Sequence, residues 1–239
     1  MAAQQPAAES SPAGSWREMA VARSLDPARA RAEKRVQRFL DAALELMTNV
    51  ERKDFTVQEV VERSGQSLRS FYQYFAGKHE LLLALFEESV GDSADYLRQT
   101  LADVDGPIEK LHRFTVEYYK LCQPVGKGKA RKVGAPRALA EFAQQLLTDH
   151  PKEAARAFGP LVGLLEELLD EAAEAGAIRS GVSHGRLVGV ILQAIMFNAF
   201  ATVISGTSLR SGAAADGAEE LWEFLLHGMG AQPPKAAKK

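Results

Sequence analysis

Polar and cationic side chains are concentrated at residues 66–78 of this 239-residue chain. Arg69 carries a planar guanidinium group, which can donate two parallel hydrogen bonds to O6 and N7 of a guanine. Lys78 follows a glycine at the start of a predicted helix, where its ammonium group and the free main-chain N–H groups suit a phosphate. Hydrogen bonding to base edges and phosphates is therefore the chemistry that this stretch can perform, provided that helices present it.

Two short helices joined by a tight turn are predicted around these residues. Thr56 can accept a hydrogen bond from the first turn of a helix while Glu59 returns one, which is the capping-box pattern. Gly65 ends this helix after about two turns, and Ser67 can cap the next one. The dimensions are those of a helix-turn-helix, in which the second helix lies in the major groove of DNA.

Longer helical patterns lie on both sides of this pair. Apolar residues recur at i, i+3 and i+4 over residues 36–47, which predicts a first amphipathic helix. A pattern over residues 78–104 predicts a rod of roughly 35 to 40 Å, at about 1.5 Å per residue. Further helices are predicted over 107–121, 136–148, 151–175, 183–204 and 216–228. No strand-like alternation of useful length occurs, so the predicted class is all-α.

Residues 56–82 resemble the DNA-binding signature of the TetR (tetracycline repressor) family of bacterial regulators. The matching residues are Thr56, Val57, Val60, Gly65, Ser67, Phe71, Tyr72, Tyr74, Phe75, Lys78 and Leu81. Val61 departs from the usual alanine and Gln66 from the usual valine, so Gln66 is interpreted as a polar reader of DNA. The resemblance implies a helix-turn-helix domain followed by a helical regulatory and dimerisation domain.

The predicted DNA contacts combine the residue chemistry with this resemblance. They are Thr56, Gln66, Ser67, Leu68, Arg69, Ser70, Tyr72, Gln73, Tyr74 and Lys78. Tyr72 is expected to contact a phosphate, as the resemblance implies, and such contacts set the register of binding rather than its sequence. Leu68 either faces the core or touches a thymine methyl group. Taken singly, Tyr72 and Tyr74 could close a small core and Lys78 could be solvated, but the ordered set favours DNA contact.

The predicted domains are a flexible basic arm (1–30), the DNA-binding domain (31–80), an effector-binding and dimerisation domain (81–230) and a disordered tail (231–239). The resemblance implies a homodimer that represses transcription from a palindromic operator until a small, lipophilic effector releases it. The predicted dimer contacts are Gly185, Gly189, Leu221, Trp222 and Leu225. The predicted effector contacts are Phe114, Tyr118, Phe142, Phe158, Leu165, Met196, Phe197 and Asn198. For each effector residue, plain packing in the core is the competing interpretation, and Asn198 would bond across the dimer or orient the ligand.

Composition restricts the other classes of function. The net charge of −2 excludes a uniformly basic nucleic-acid coat, although residues 17–38 carry seven Lys/Arg against three acids. That basic segment either reaches DNA or is simply solvated. The single cysteine, Cys122, excludes an intrachain disulfide and a structural zinc finger. No metal site and no cofactor are predicted.

Two other functions, an enzyme and a membrane-anchored helical protein, compete with a DNA-binding regulator. The five histidines are scattered and no GxSxG, HExxH or P-loop occurs, so an enzyme is not favoured. Residues 187–209 run without a charge for 23 positions, which is long enough to cross a bilayer. Gln193 and Asn198 interrupt this run, so a helix buried inside a soluble protein is favoured over a membrane-spanning helix. No secretory signal is seen at the start, so a cytoplasmic location is expected.

Overall fold

The computed structural model describes residues 16–48, 54–123, 137–179, 183–204 and 213–230. Its helices are α1 (Trp16–Thr48), α2 (Val57–Ser64), α3 (Leu68–Tyr74), α4 (Lys78–Leu101), α5 (Pro107–Cys122), α6 (Arg137–Asp149), α7 (Pro151–Ala157), α8 (Gly159–Glu174), α9 (His184–Ile204) and α10 (Ala213–Gly228). No strand occurs within the described ranges, and the all-α prediction is confirmed.

Aromatic packing holds α1, α2 and α3 together as an amino-terminal head. Phe39 of α1 meets Phe71 of α3 edge to face, with ring centroids 5.5 Å apart, and meets Phe75 at 6.1 Å. All three rings are buried, and Val60 of α2 is fully buried beside them. Aromatic pairs of this kind contribute about 0.5 to 1.5 kcal/mol beyond the area they bury. These four side chains form the core of the head.

Helix α4 connects the head to the rest of the molecule. It packs against α1 on one side and against α5, α6, α7 and α8 on the other. At about 1.5 Å per residue, its 24 residues span roughly 36 Å. Helix α5 lies at the centre of the second layer and contacts α4, α8, α9 and α10. The rod predicted from the sequence is therefore present, and it ends at Leu101.

The amino-terminal arm differs from its prediction. Helix α1 already begins at Trp16, so residues 16–30, which were assigned to a flexible arm, are helical. Alanine and arginine make up seven of these fifteen residues, and both have high helix propensity even where no apolar stripe is present. Pro27 lies inside the helix. Residues 1–15 and the predicted tail at 231–239 lie outside the described residues.

The single helix predicted over residues 151–175 is two helices in the structure. Helix α7 ends at Ala157 and α8 starts at Gly159, with Phe158 between them in a turn. Pro160 occupies the first turn of α8, where a missing N–H costs nothing, whereas inside a continuous helix it would remove a main-chain hydrogen bond. The proline therefore starts a new helix instead of interrupting a long one.

Helix α9 is apolar but only partly buried. Val188, Ile191, Leu192 and Ile195 are buried, and the helix packs on α5, α8 and α10. Across the described ranges, no helix has the length and apolarity that crossing a bilayer requires.

Candidate functional site

A capping box and a left-handed glycine set the geometry of the helix-turn-helix. The hydroxyl of Thr56 accepts a hydrogen bond from the N–H of Glu59 at 3.3 Å, and the Glu59 carboxylate accepts one from the N–H of Thr56 at 2.8 Å. Gly65 then ends α2 with φ of +64°, a conformation that costs other residues energy. The hydroxyl of Ser67 caps α3 by accepting from the N–H of Ser70 at 3.1 Å. The predicted caps of both short helices are confirmed.

Helix α3 presents one face to solvent and buries the other. Phe71 is fully buried, whereas Leu68, Arg69, Tyr72 and Gln73 are exposed. Tyr72 is 57% exposed and Leu68 is 42% exposed, so of the two orientations open to Leu68 the core-facing one is wrong. Within the described part of the chain, Arg69 and Gln73 have no hydrogen-bond or ion-pair partner. A short helix thus displays a guanidinium, an amide, a phenol and an apolar side chain on one surface.

The remaining members of the predicted DNA-binding set are engaged with the protein itself. The Thr56 hydroxyl and the Ser67 hydroxyl are used as helix caps. Tyr74 is half-buried and packs against the core, and Gln66 donates to the carbonyl of Gly65 at 3.4 Å. The hydroxyl oxygen of Ser70 is buried without a partner among the described residues, so it does not face the groove as expected.

Lys78 is tied into the head rather than solvated. Its ammonium group donates to the carboxylate of Asp54 and, at 2.6 Å, to the carbonyl of Phe55, and it lies 4.3 Å above the centroid of the Phe55 ring. The hydrogen bond from Lys78 holds the pKa of Asp54 below its ordinary value of 3.8. The alternative of a solvated Lys78 is therefore wrong, although its side chain stays 28% exposed.

A carboxylate of the chain also occupies part of the predicted phosphate position. Glu80, in the first turn of α4, accepts a hydrogen bond from the N–H of Ala76 at 2.7 Å. Gly77, the residue at the helix cap, provides no side-chain cap of its own. An acidic side chain at a helix amino terminus is stabilised by the same N–H groups that would hold a phosphate. A phosphate there would have to compete with Glu80.

A cavity of about 440 Å³ opens between the rod and the second layer of helices. Its walls come from α1, α4, α5, α6, α8 and α9 and include Leu85, Ser89, Tyr118, Ala140 and Met196. Volumes of a few hundred cubic ångströms are typical of small-molecule sites. The cavity is therefore large enough for a small effector and is bordered by the helix that leads to the head.

A second cavity of about 210 Å³ adjoins the first. Tyr118, Phe158 and Met196 line both cavities, so these three predicted effector residues form the wall between them. Burial raises the pKa of the Cys122 thiol, which lines the larger cavity, to about 12. The thiol therefore stays protonated, and the wall between the cavities is made of adaptable apolar side chains.

The other predicted effector residues do not line these two cavities. Phe114 and Leu165 are buried in the core, at 0% and 1% exposure. Phe197 is 66% exposed, and exposed Asn198 donates to the carbonyl of Ala194 at 2.8 Å. Helical rotation explains the difference, because Met196 faces inwards and the next two side chains must then point away.

Phe142 lines a third cavity, of about 440 Å³, which lies beside the head. Lys78 and His79 form part of the same wall, as do Asp54 and Phe55. Phe142 therefore borders the junction of the head and the second layer instead of the cavity lined by Tyr118 and Met196.

The predicted dimer contacts divide between surface and core. Gly185 and Gly189 are exposed on α9, as an interface requires. Trp222 and Leu225 are each only 6% exposed and Leu221 is half-buried, so the apolar stripe of α10 faces its own protomer. An apolar stripe looks the same in sequence whether its partner is the same chain or a second copy.

Known proteins share both the head and the fold. The sequence model described as bacterial regulatory proteins of the tetR family matches residues 39–85. Among solved structures, the fatty acid degradation regulator FadR from Bacillus halodurans is 20% identical, covers 83% of this chain and 97% of its own, and has a TM-score of 0.62. FadR from Thermus thermophilus, a TetR-family repressor solved in complex with lauroyl-CoA, is 24% identical, with coverage of 85% and 100% and a TM-score of 0.61. A TetR-family regulator from Pectobacterium atrosepticum is 18% identical, with coverage of 87% and 99% and a TM-score of 0.65. The head of the chain therefore matches the DNA-binding domain of the TetR family, and the rest of the chain shares its fold with these regulators.

The family match covers the head, and the likeness to solved structures covers the fold. The matched residues, 39–85, include the helix-turn-helix and the first turns of α4. No protein of curated function matches the chain in sequence.

The structure brings together residues that lie far apart in the sequence. His79 and Glu153 are 74 positions apart, yet His79 Nε2 lies 2.7 Å from a carboxylate oxygen of Glu153. His150 stacks near His79, with ring centroids 4.6 Å apart. The scattered positions of the five histidines gave no sign of this cluster, because it forms only when α7 packs against α4.

Replacing Asp54 tests the tie to Lys78. Asp54→Asn is expected to lower the free energy of unfolding by less than about 1 kcal/mol at neutral pH, since the Asp54 side chain is 80% exposed and solvent screens the pair. Because the pKa of Asp54 is lowered in the folded state, this stabilisation is present above its ordinary value and is lost as the pH falls through the lowered pKa. Denaturant titrations of both proteins from pH 7 downwards measure this convergence.

Asp95→Asn provides the control for this measurement, because Asp95 pairs only with Arg98 in its own helix. A difference between wild type and Asp54→Asn that stays constant over the whole acid range would contradict the tie.

Proposed function

We propose that the chain is a homodimeric repressor that reads an inverted-repeat operator with α3 and releases it when a fatty acyl effector enters the cavity beside α4. One observation carries the proposal. Helix α3 exposes Leu68, Arg69, Tyr72 and Gln73 on one face while Phe71 anchors its other face in the aromatic core. A rigidly seated helix with an exposed polar face is what the major groove accepts.

The exposed face of α3 divides into specificity and positioning roles. Arg69 is the residue for a guanine, where a bidentate pair contributes about 1 to 3 kcal/mol of discrimination. Leu68 suits the methyl group of a thymine, and Gln73 suits an adenine edge. The hydroxyl of Tyr72 is placed for a phosphate, which fixes register without conveying sequence.

Exposed apolar side chains on α9 and α10 support dimerisation. Val190 and Phe197 on α9 are 60% and 66% exposed, and Phe224 on α10 is 74% exposed. The two helices pack against each other, and Gly189 is exposed on the same stretch of α9. Large apolar side chains clustered at a surface mark an interface. We infer a twofold dimer, whose two heads must lie about 34 to 36 Å apart to meet successive major grooves.

The paired cavities support an elongated apolar effector. Together they run from the space beside α4 to the space between α7 and α9, with Tyr118, Phe158 and Met196 between them. Rotation of the flexible Met196 side chain would join the two spaces into one channel. A fatty acyl chain has the matching shape and polarity, and Thermus thermophilus FadR, of the same fold, was solved with lauroyl-CoA. We therefore place the acyl chain of a thioester there.

Release follows from the position of the cavity against the rod. Leu85, Ser89 and Ser93 line it from one side of α4, and Leu139 and Ala140 line it from α6. A ligand that fits better when these helices move apart shifts the population towards a tilted α4. Because α3 is attached to the start of α4, this tilt changes the distance between the two heads and lowers operator affinity.

Operator reading is tested with DNA fragments selected by the purified protein. The recovered site is expected to be an inverted repeat, and Arg69→Ala is expected to weaken binding to it at least about fivefold, since each half-site loses one guanine contact of about 1 to 3 kcal/mol. It should also relax the preference at one base pair of each half-site. Arg98→Ala removes an equal charge far from α3 and serves as the control. Equal losses for the two variants would refute readout by α3.

Dimerisation is tested by placing a charge in the exposed apolar patch. Phe197→Glu is expected to convert the dimer to a monomer, because an unpaired carboxylate would be buried at the interface. Sedimentation velocity reports the mass, and Gln99→Glu on α4 supplies an equal charge at an exposed position outside the patch. Dimers that persist in Phe197→Glu would exclude this face as the interface.

The effector cavity is tested by filling it. Lauroyl-CoA is expected to lower the operator affinity of the wild-type protein, and free CoA is expected to have no effect. Ala140→Trp places an indole in the cavity and should leave operator binding intact while reducing the response to lauroyl-CoA at least about tenfold. Thr148→Trp adds the same group to the exposed end of α6 as the control. An unchanged response in Ala140→Trp would place the effector elsewhere.

A further inference from the structure

Two imidazoles and one carboxylate meet where the head joins the second layer. His79 lies in the first turn of α4, His150 directly precedes α7, and Glu153 lies in the first turn of α7. The Nε2 atom of His79 lies 2.7 Å from Oε2 of Glu153, and Nδ1 of His150 lies 3.9 Å from the same oxygen. The three donor atoms all lie within 4.8 Å of one another. Among the described residues, no other group of three or more such donors is as close.

The cluster differs from the ordinary histidine pairs of this molecule. His112 meets Glu219 at 2.7 Å and His184 meets Asp170 at 2.5 Å, but each of those pairs has one imidazole. In the cluster a second imidazole faces the same oxygen. The two ring centroids lie 4.6 Å apart. Two imidazole nitrogens and a carboxylate oxygen thus converge on one point, as the ligands of a metal ion do.

We propose that His79, His150 and Glu153 form a binding site for a divalent transition-metal ion of the zinc class. Two imidazole nitrogens and a carboxylate oxygen are a ligand set that Zn²⁺ accepts at about 2.0 to 2.2 Å, with water in the fourth position. Tetrahedral ligands at such lengths lie about 3.3 Å apart. The observed separations bracket that value, and the three side chains are partly exposed, so small rotations of the side chains bring them into register.

The surroundings leave the carboxylate available to the two rings. Arg156, the nearest arginine in sequence, donates from Nε to Glu87 at 2.8 Å. The Glu153 carboxylate meets the His79 ring at hydrogen-bond distance, 2.7 Å. Phe142 packs 5.7 Å from the His79 ring and limits its motion. Packing that fixes a ligand ring raises the precision of a metal site.

Binding at this site would couple two parts of the fold. His79 follows Lys78 directly at the start of α4, whereas His150 and Glu153 belong to the second layer. A metal ion would add a link between the first turn of α4 and α7, beyond their side-chain packing. The expected result is a more stable junction between the head and the regulatory helices. This inference does not depend on the operator or on the effector.

Calorimetric titration of the untagged, chelator-stripped full-length protein with ZnCl₂ tests the proposal. We expect one zinc ion per chain with micromolar affinity, and at least about a tenfold loss of affinity in His150→Ala. His150 makes no capping hydrogen bond through its side chain, so this variant is expected to fold normally. His112→Ala, which removes the imidazole of an ordinary pair, is the matched control and should bind as wild type does.

Thermal unfolding gives a second readout that does not rely on the heat of binding. Saturating zinc is expected to raise the midpoint by about 3 °C or more in the wild type and in His112→Ala, and to leave His150→Ala and Glu153→Gln unchanged. Absence of binding to the wild type would overturn the site. Equal loss in His150→Ala and His112→Ala would overturn it as well, since the zinc would then be bound by surface histidines in general.

Discussion

Helix α4 is a continuous run of main-chain hydrogen bonds from the head to the second layer, so its two ends cannot move independently. Only Phe75, Ala76 and Gly77 separate the end of α3 from its first residue. Phe75 is 5% exposed and lies against Phe39 and Phe71, which leaves this connection little freedom. The orientation of α3 is therefore set by the position of α4, and under the proposed function a ligand or ion that moves α4 would also move the DNA-reading face of α3.

Two of the cavities lie along α4, the helix that connects the head to the second layer. The cavity lined by Leu85 and Met196 borders the middle of α4, and the cavity lined by Lys78 and His79 borders its first turn. An effector changes the equilibrium only by its difference in affinity between the two positions of the rod. Apolar side chains such as Leu85 and Met196 provide that difference, because separating them without a ligand would expose them to water. Under the proposed function, the deformable cavity wall allows α4 to move, and the rigid helix transmits that movement to the head.

Local signals in the sequence predicted the head well, and contacts between distant segments were predicted poorly. Thr56, Glu59, Gly65 and Ser67 define helix ends through hydrogen bonds that span three or four residues, so their roles are legible in the sequence. Whether Trp222 packs inside its own protomer or against a second copy could not be predicted, because an apolar stripe fits a core and an interface equally well. The histidine cluster and the cavity walls need the packing of helices that are far apart in the chain.

The bonds that Lys78 makes in the free protein are compatible with the phosphate contact proposed for it. Its partner Asp54 is 80% exposed, and ion pairs so open to solvent contribute little to stability. A DNA phosphate carries at least as much negative charge as the Asp54 carboxylate, and the other phosphates of the duplex add to the attraction. Exchanging Asp54 for a phosphate therefore costs Lys78 little free energy. The carbonyl of Phe55 and the Phe55 ring keep the ammonium group at the edge of the head throughout. The tie thus fixes the long lysine side chain in advance, and binding need not remove its conformational freedom.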